Sequence, residues 1–94
     1  MTKKEQYQKL RSLFFQVVEE HYPNTQIDSD GGGRWQISME NGLEFELGSI
    51  NYGGEVLSST MRGEDNYKKS TEIERDLNTI WESVWNNFYE EFNS

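Results

Sequence analysis

The 94-residue chain contains no cysteine, one proline and one histidine. Without cysteine there is no disulfide scaffold, no thiol nucleophile and no Cys-rich zinc module. A single histidine, His21, does not make a His-based metal centre or a catalytic triad. Basic residues are also scarce: 9 Lys and Arg stand against 17 Asp and Glu, for a net charge of −8. Direct nucleic-acid binding is therefore not expected, because phosphates are held by Lys and Arg. Apolar residues make up only 33% of the chain, and no run approaches the roughly 20 residues that span a bilayer. The opening residues Met1–Gln6 are polar and no apolar h-region follows them. These absences predict a soluble, cytoplasmic chain with no membrane partner and no cofactor.

What is abundant is aromatic. Three Trp, five Tyr and five Phe amount to 14% of the residues. Disordered chains are poor in aromatics, so this one is expected to fold around a few large rings. Its length fits one domain, residues 1–94.

The first element is a helix. Thr2 and Glu5 have capping-box spacing. Tyr7, Leu10, Leu13, Phe14, Val17, Val18 and Tyr22 then follow at helical intervals. Pro23 ends it, since a residue before proline avoids helical geometry. Residues 24–33 read as a loop, within which Ile27 can begin a short edge strand. The period then changes to two. Trp35, Ile37 and Met39 alternate with Gln36, Ser38 and Glu40; Asn41-Gly42 is a hairpin signal; Leu43, Phe45 and Leu47 alternate with Glu44 and Glu46. Past Gly48 the apolar positions become Ile50 and Tyr52, a change of parity that a bulge or bend at Gly48 would accommodate. Gly53-Gly54 reads as a turn, and Glu55 to Met61 as a third strand with Val56, Leu57 and Met61 its apolar members. The last segment is a long helix. Its apolar face is Ile73, Leu77, Ile80, Trp81, Val84, Trp85, Phe88 and Phe92. Thr71 and Glu74 give a second capping box, with Asp65 or Asn66 as an earlier start.

The predicted fold is α+β: an N-terminal helix, a three-stranded antiparallel meander and a long C-terminal helix, with both helices on one face of the sheet. Trp35, Phe45, Leu77, Trp81 and Phe88 should share one core. The opposite face, with Gln36, Ser38, Glu44 and Glu46, is then open to water or to a partner.

Charge is unevenly distributed. Residues 1–25 carry net +1, residues 26–66 net −6 and residues 67–94 net −3. Asp28, Asp30, Glu40, Glu44, Glu46, Glu55, Glu64 and Asp65 supply the central excess. Glu44 and Glu46 leave one strand on the same side, and Glu40 and Glu55 fall near the sheet ends. Such a surface steers basic partners and repels nucleic acid. Solubility alone also accounts for an acidic small domain. Glu19 and Glu20, on the more balanced first helix, offer a comparison site.

Other motifs fail on their spacing. Asp28-Ser29-Asp30-Gly31 opens like a calcium loop, but position twelve is Met39 where such a loop needs Glu. Gly31-Gly32-Gly33 is not followed by the Lys-Ser/Thr and helix of a phosphate loop. His21 falls at a helix C-terminus, where a cation suits the dipole, and no nucleophile or orienting carboxylate is spaced to serve it. Trp81 and Trp85 lie on the core stripe. Tyr52, Tyr67 and Tyr89 fit it less well and are candidates for exposed contact, since aromatics dominate interface energetics.

Two families share parts of this pattern. Over residues 10–58, the helix ending in Tyr22-Pro23, the glycine-containing loop, the strand to Asn41-Gly42, the second strand and Gly54-Glu55-Val56-Leu57 resemble a PepSY domain. That resemblance implies a protease modulator that binds by an uncharged edge or groove. The size, element order and charge also resemble small phage anti-CRISPR inhibitors of type II effector nucleases. Glu40, Asn41, Gly42, Glu44 and Glu46 would correspond to the acidic hairpin, extended by Glu64 and Asp65. Trp85-Asn86-Asn87-Phe88-Tyr89-Glu90-Glu91 would form the acidic aromatic end. This second resemblance implies a non-enzymatic inhibitor, a monomer or small homo-oligomer, that mimics nucleic-acid charge. Its partner would be a basic nucleic-acid-binding protein such as a CRISPR effector nuclease. The expected contact residues are Glu40, Asn41, Glu44, Glu46, Glu55, Glu64, Asp65, Tyr52 and Tyr67. An immunity protein against a cationic toxin nuclease would use the same surface.

Overall fold

Two helices and a four-stranded antiparallel sheet make up the computed structural model, which describes residues 2–29, 34–48, 50, 53–58 and 64–93. The first helix, α1, spans Lys3–His21. Thr2 caps it as the spacing predicts: the Glu5 amide donates to Thr2 Oγ1 at 3.2 Å, and that hydroxyl donates back to the Glu5 carboxylate at 3.0 Å. Tyr22 ends it, immediately before Pro23. The chain then reverses through Asn24, whose φ of 65° is left-handed. The Glu19 carboxylate holds that reversal, accepting the amides of Asn24 at 3.0 Å and Thr25 at 3.3 Å.

The sheet has one strand more than the meander read from the sequence. Strands β1 (Gln26–Ser29), β2 (Trp35–Ser38), β3 (Glu44–Gly48) and β4 (Glu55–Ser58) pair in the order β1-β2-β3-β4. The added strand is the short edge begun near Ile27, and Ile27 lies opposite Ile37. Expected strand residues 59–61 lie outside the described residues. The β2–β3 connection is a three-residue loop, not a two-residue one. Met39 carbonyl accepts the Gly42 amide at 3.0 Å, Met39 donates to Leu43 carbonyl at 3.0 Å, and Gly42 takes the left-handed φ of 88°.

The parity change after Gly48 needs no bulge. Gly48 is the last residue of β3, paired with Glu55. Ile50 belongs to the connection that follows and is fully buried, its carbonyl accepting the Gly53 amide at 3.1 Å. Apolar burial continues, but through a turn rather than a ladder. Tyr52 lies outside the described residues.

The second helix, α2, spans Glu64–Asn93. It starts before Thr71, so Thr71–Glu74 is interior sequence and not a capping box. Packing explains the extension: Ser70 is fully buried on the stripe that continues through Ile73, Leu77 and Trp81. Both helices cover the same face of the sheet. Trp81 from α2 meets Phe14 from α1 and Trp35 from β2 edge-on, with ring centres 5.5 Å apart in each case. Ile37, Phe45, Leu47 and Val56 complete this side and are fully buried. Phe88 is only partly buried against the core, with Lys9 Nζ 5.3 Å from its ring centre. It is a margin of the core rather than a member of its centre.

Candidate functional site: the open face of the sheet

Alternation along each strand sends every second side chain away from the helices. On β2 and β3 these are Gln36, Ser38, Glu44 and Glu46, as the sequence predicts, all exposed or half-buried while their neighbours are buried. Strand register arranges them in rows. Asp28, Gln36, Glu46 and Leu57 lie side by side across all four strands. Gln26, Ser38 and Glu44 form the next row. Toward the other end Gly48 lies beside Glu55. Asp28, Glu44, Glu46 and Glu55 therefore share one surface that neither helix covers.

Among the described residues of this surface, Arg34 is the sole cation. Its Nε lies 2.7 Å from Glu46 Oε1. Gly48 lies beneath it, and a Cβ there would be in ordinary contact with Arg34 Nε at 4.0 Å. Glu46 is thus partly neutralised inside the chain. Leu57, read with Val56 as an apolar member of this strand, is 53% exposed on this surface. Two adjacent strand residues cannot both face inward, and Val56 takes the buried side.

The remaining expected contacts divide. Glu40 and Asn41 are exposed at the β2–β3 loop, at the opposite end of the sheet from Glu55. Asn41 Oδ1 accepts the Leu43 amide at 3.0 Å, so its oxygen builds the loop. Glu64, Asp65 and Tyr67 belong to the start of α2, but their side chains lie outside the described residues. Tyr89 is 52% exposed, its ring against Trp85 with centres 5.8 Å apart. Glu19 is unsuitable as a comparison site, because its carboxylate holds the chain reversal after α1. Arg34 and Leu57 were missed as members of the surface, although parity with Gln36 and Glu55 assigns both to it, and Asp28, counted in the acidic excess, was not among the expected contacts.

Two open concavities, of about 280 and 360 Å³, flank Tyr22 and His21, the first against α2 and the second against Met39, Glu40 and Asn41 of the β2–β3 loop. Tyr22 donates its hydroxyl to Asp76 Oδ2 at 2.6 Å, tying the end of α1 to α2. Burial, that hydrogen bond and the charges of Asp76 and Glu72 push the Tyr22 phenol up to about 12. At neutral pH it is a fixed donor. Among the described residues no group of three or more His, Asp or Glu side chains is placed to hold a metal ion, and no helix is long and apolar enough to cross a membrane.

The two edges of the sheet differ. On β4 the outward-pointing Val56 amide donates to Asn78 Oδ1 at 2.8 Å, and Asn78 Nδ2 donates to Val56 carbonyl at 2.9 Å. The Ser58 amide donates to Glu74 Oε2 at 3.1 Å. Helix α2 thus supplies the partners that a fifth strand would supply. No strand among the described residues pairs with the outer edge of β1.

Comparison with known proteins returned nothing: no family model, no curated protein and no solved structure matches this chain.

Proposed function

We propose that the chain is a non-enzymatic inhibitor that binds a basic nucleic-acid-binding protein through the open face of its sheet. In its most specific form the proposal is a phage anti-CRISPR or other anti-defence protein that presents nucleic-acid-like charge to an effector nuclease. One observation carries it. Asp28, Glu44, Glu46 and Glu55 occupy a single surface that neither helix covers, and among its described residues Arg34 is the cation. A surface of one sign raises association rates with an oppositely charged partner and disfavours wrong ones. An immunity protein against a cationic nuclease is the same proposal with a different partner. A protease modulator of the PepSY kind would instead use the edge of β1, since α2 closes the edge of β4.

Charge reversal separates these. Glu44→Lys with Glu46→Lys should weaken binding to a CRISPR effector nuclease while the melting temperature holds. Glu20→Lys with Glu82→Lys, both exposed and on the helices, should leave binding nearly intact at the same change in net charge. Binding should fall steeply as salt shortens the screening length from about 10 Å at 0.1 M to about 3 Å at 1 M. Guide RNA or DNA should compete. Tight binding that ignores salt and survives both lysines would sink the charge-mimicry reading and favour the edge.

A further inference from the structure

We infer that Arg34 occupies a guanidinium site on the open face that a partner's arginine takes over on binding. This rests on the reading of that face as the binding surface and goes on to name the chemical group it selects.

Three features define the site. Glu46 provides the carboxylate, and Arg34 Nε already sits on it at 2.7 Å. Gln36 and Leu57 are its direct cross-strand neighbours, on β2 and β4 respectively. Gln36 offers an amide beside the carboxylate. Leu57, 53% exposed, offers an apolar floor for the methylene stem of a long basic side chain. A carboxylate with adjacent apolar surface suits arginine better than lysine, because guanidinium is planar, forks its donors and is weakly hydrated.

The occupant is held loosely. Arg34 is 68% exposed and Glu46 38% exposed, and an exposed pair of this kind shifts an equilibrium by only about two- to fivefold. Arg34 is therefore displaceable, and its presence lowers the apparent affinity for an incoming arginine by the same factor.

The test uses the full chain and synthetic oligoarginine and oligolysine peptides as probes. Arg34→Gln removes the internal competitor. Lys4→Gln, on an exposed position of α1, makes the same change in net charge away from the face. Arg34→Gln should bind oligoarginine about two- to fivefold more tightly than the unaltered chain, with a smaller gain for oligolysine, and Lys4→Gln should gain less than either. Adding Glu46→Gln to Arg34→Gln should cancel the gain, and Leu57→Ala should lower oligoarginine binding with no change in charge. If Arg34→Gln gains no more than Lys4→Gln, the guanidinium site is wrong while the acidic face stands. If oligoarginine binding is undiminished by Glu44→Lys with Glu46→Lys, the face itself is wrong and the inference falls with it.

Discussion

The indole edge of Trp81 stands where a β-carbon on Gly54 would be. A Cβ built there lies 2.6 Å from Trp81 Nε1 and 2.9 Å from Cε2, and 3.2 Å from Leu47 Cδ1. Trp81 Nε1 also donates to the neighbouring Gly53 carbonyl at 2.5 Å. The glycine pair between β3 and β4 is thus a seat for the central aromatic ring as well as a turn.

That relationship separates two glycines of similar backbone geometry. Gly42 has φ +88° with nothing within 4 Å of an added Cβ, and Gly54 has φ +74° with the indole against it. Both alanine variants meet the left-handed penalty of about 1–2 kcal/mol. Gly54→Ala adds overpacking of about 1–3 kcal/mol. Denaturant titration of the two variants side by side should show Gly54→Ala the less stable by that margin. Equal losses would mean that Trp81 moves aside freely.

Truncation of the aromatic core should follow burial and not ring size alone. Trp81 is 1% exposed at the centre of three ring contacts, so Trp81→Ala should cost about 3–5 kcal/mol. Phe88 sits at the margin beside Lys9, and Phe88→Ala should cost clearly less. Thermal melts of both variants check the ranking.

The difference between those two rings shows where sequence reading succeeds and where it stops. The stripe from Ile73 to Phe88 identifies the buried side of α2, because a period of 3.6 is a property of one helix. How deep each ring lies is set by what α1 and the sheet place opposite, which no single segment contains. The same limit left β1 as no more than a short edge strand beginning at Ile27. Its exposed positions outnumber the half-buried Ile27, so its alternation does not define its length or its place in the sheet. Thr71–Glu74 had cap spacing without being a cap, since the burial of Ser70 carries the helix through it. The acidic side of the sheet was legible from Glu44 and Glu46 by parity. The Arg34–Glu46 pair was not, because it depends on two strands lying in register.

Asn78 should be the most sensitive polar residue of α2. Its amide meets both the N–H and the C=O of Val56, and also donates to the Glu74 carbonyl at 3.0 Å. Asn78→Leu has similar bulk and leaves two backbone groups at the edge of β4 unpaired, at about 1–3 kcal/mol for each group kept from water. Chemical denaturation should register the loss. Concentration-dependent association should appear as the uncovered edge recruits other strands.

Alkaline pH should weaken the joint between the helices. The Tyr22 phenol titrates near 12 in the folded chain against 10.0 for its ordinary value. Below pH 10 both states hold the proton and the full contribution is present. Between about 10 and 12 the unfolded chain releases the proton more readily, so stability falls as pH rises. Tyr22→Phe should flatten that part of the stability profile, measured by denaturant titration across the alkaline range. An unchanged slope would place its cause elsewhere.

Strand β4 also has a place in time. Its inner side pairs with β3 across a short connection, so that ladder involves little loop closure. Its outer amides at Val56 and Ser58 wait for Asn78 and Glu74, which arrive only when the long helix docks. The bonds on the outer side of β4 are therefore made by the helix. In pulse-labelled hydrogen exchange during refolding, protection at Val56 should appear with α2 docking and later than protection within the β2–β3 hairpin, so that one strand acquires its two sides in separate steps.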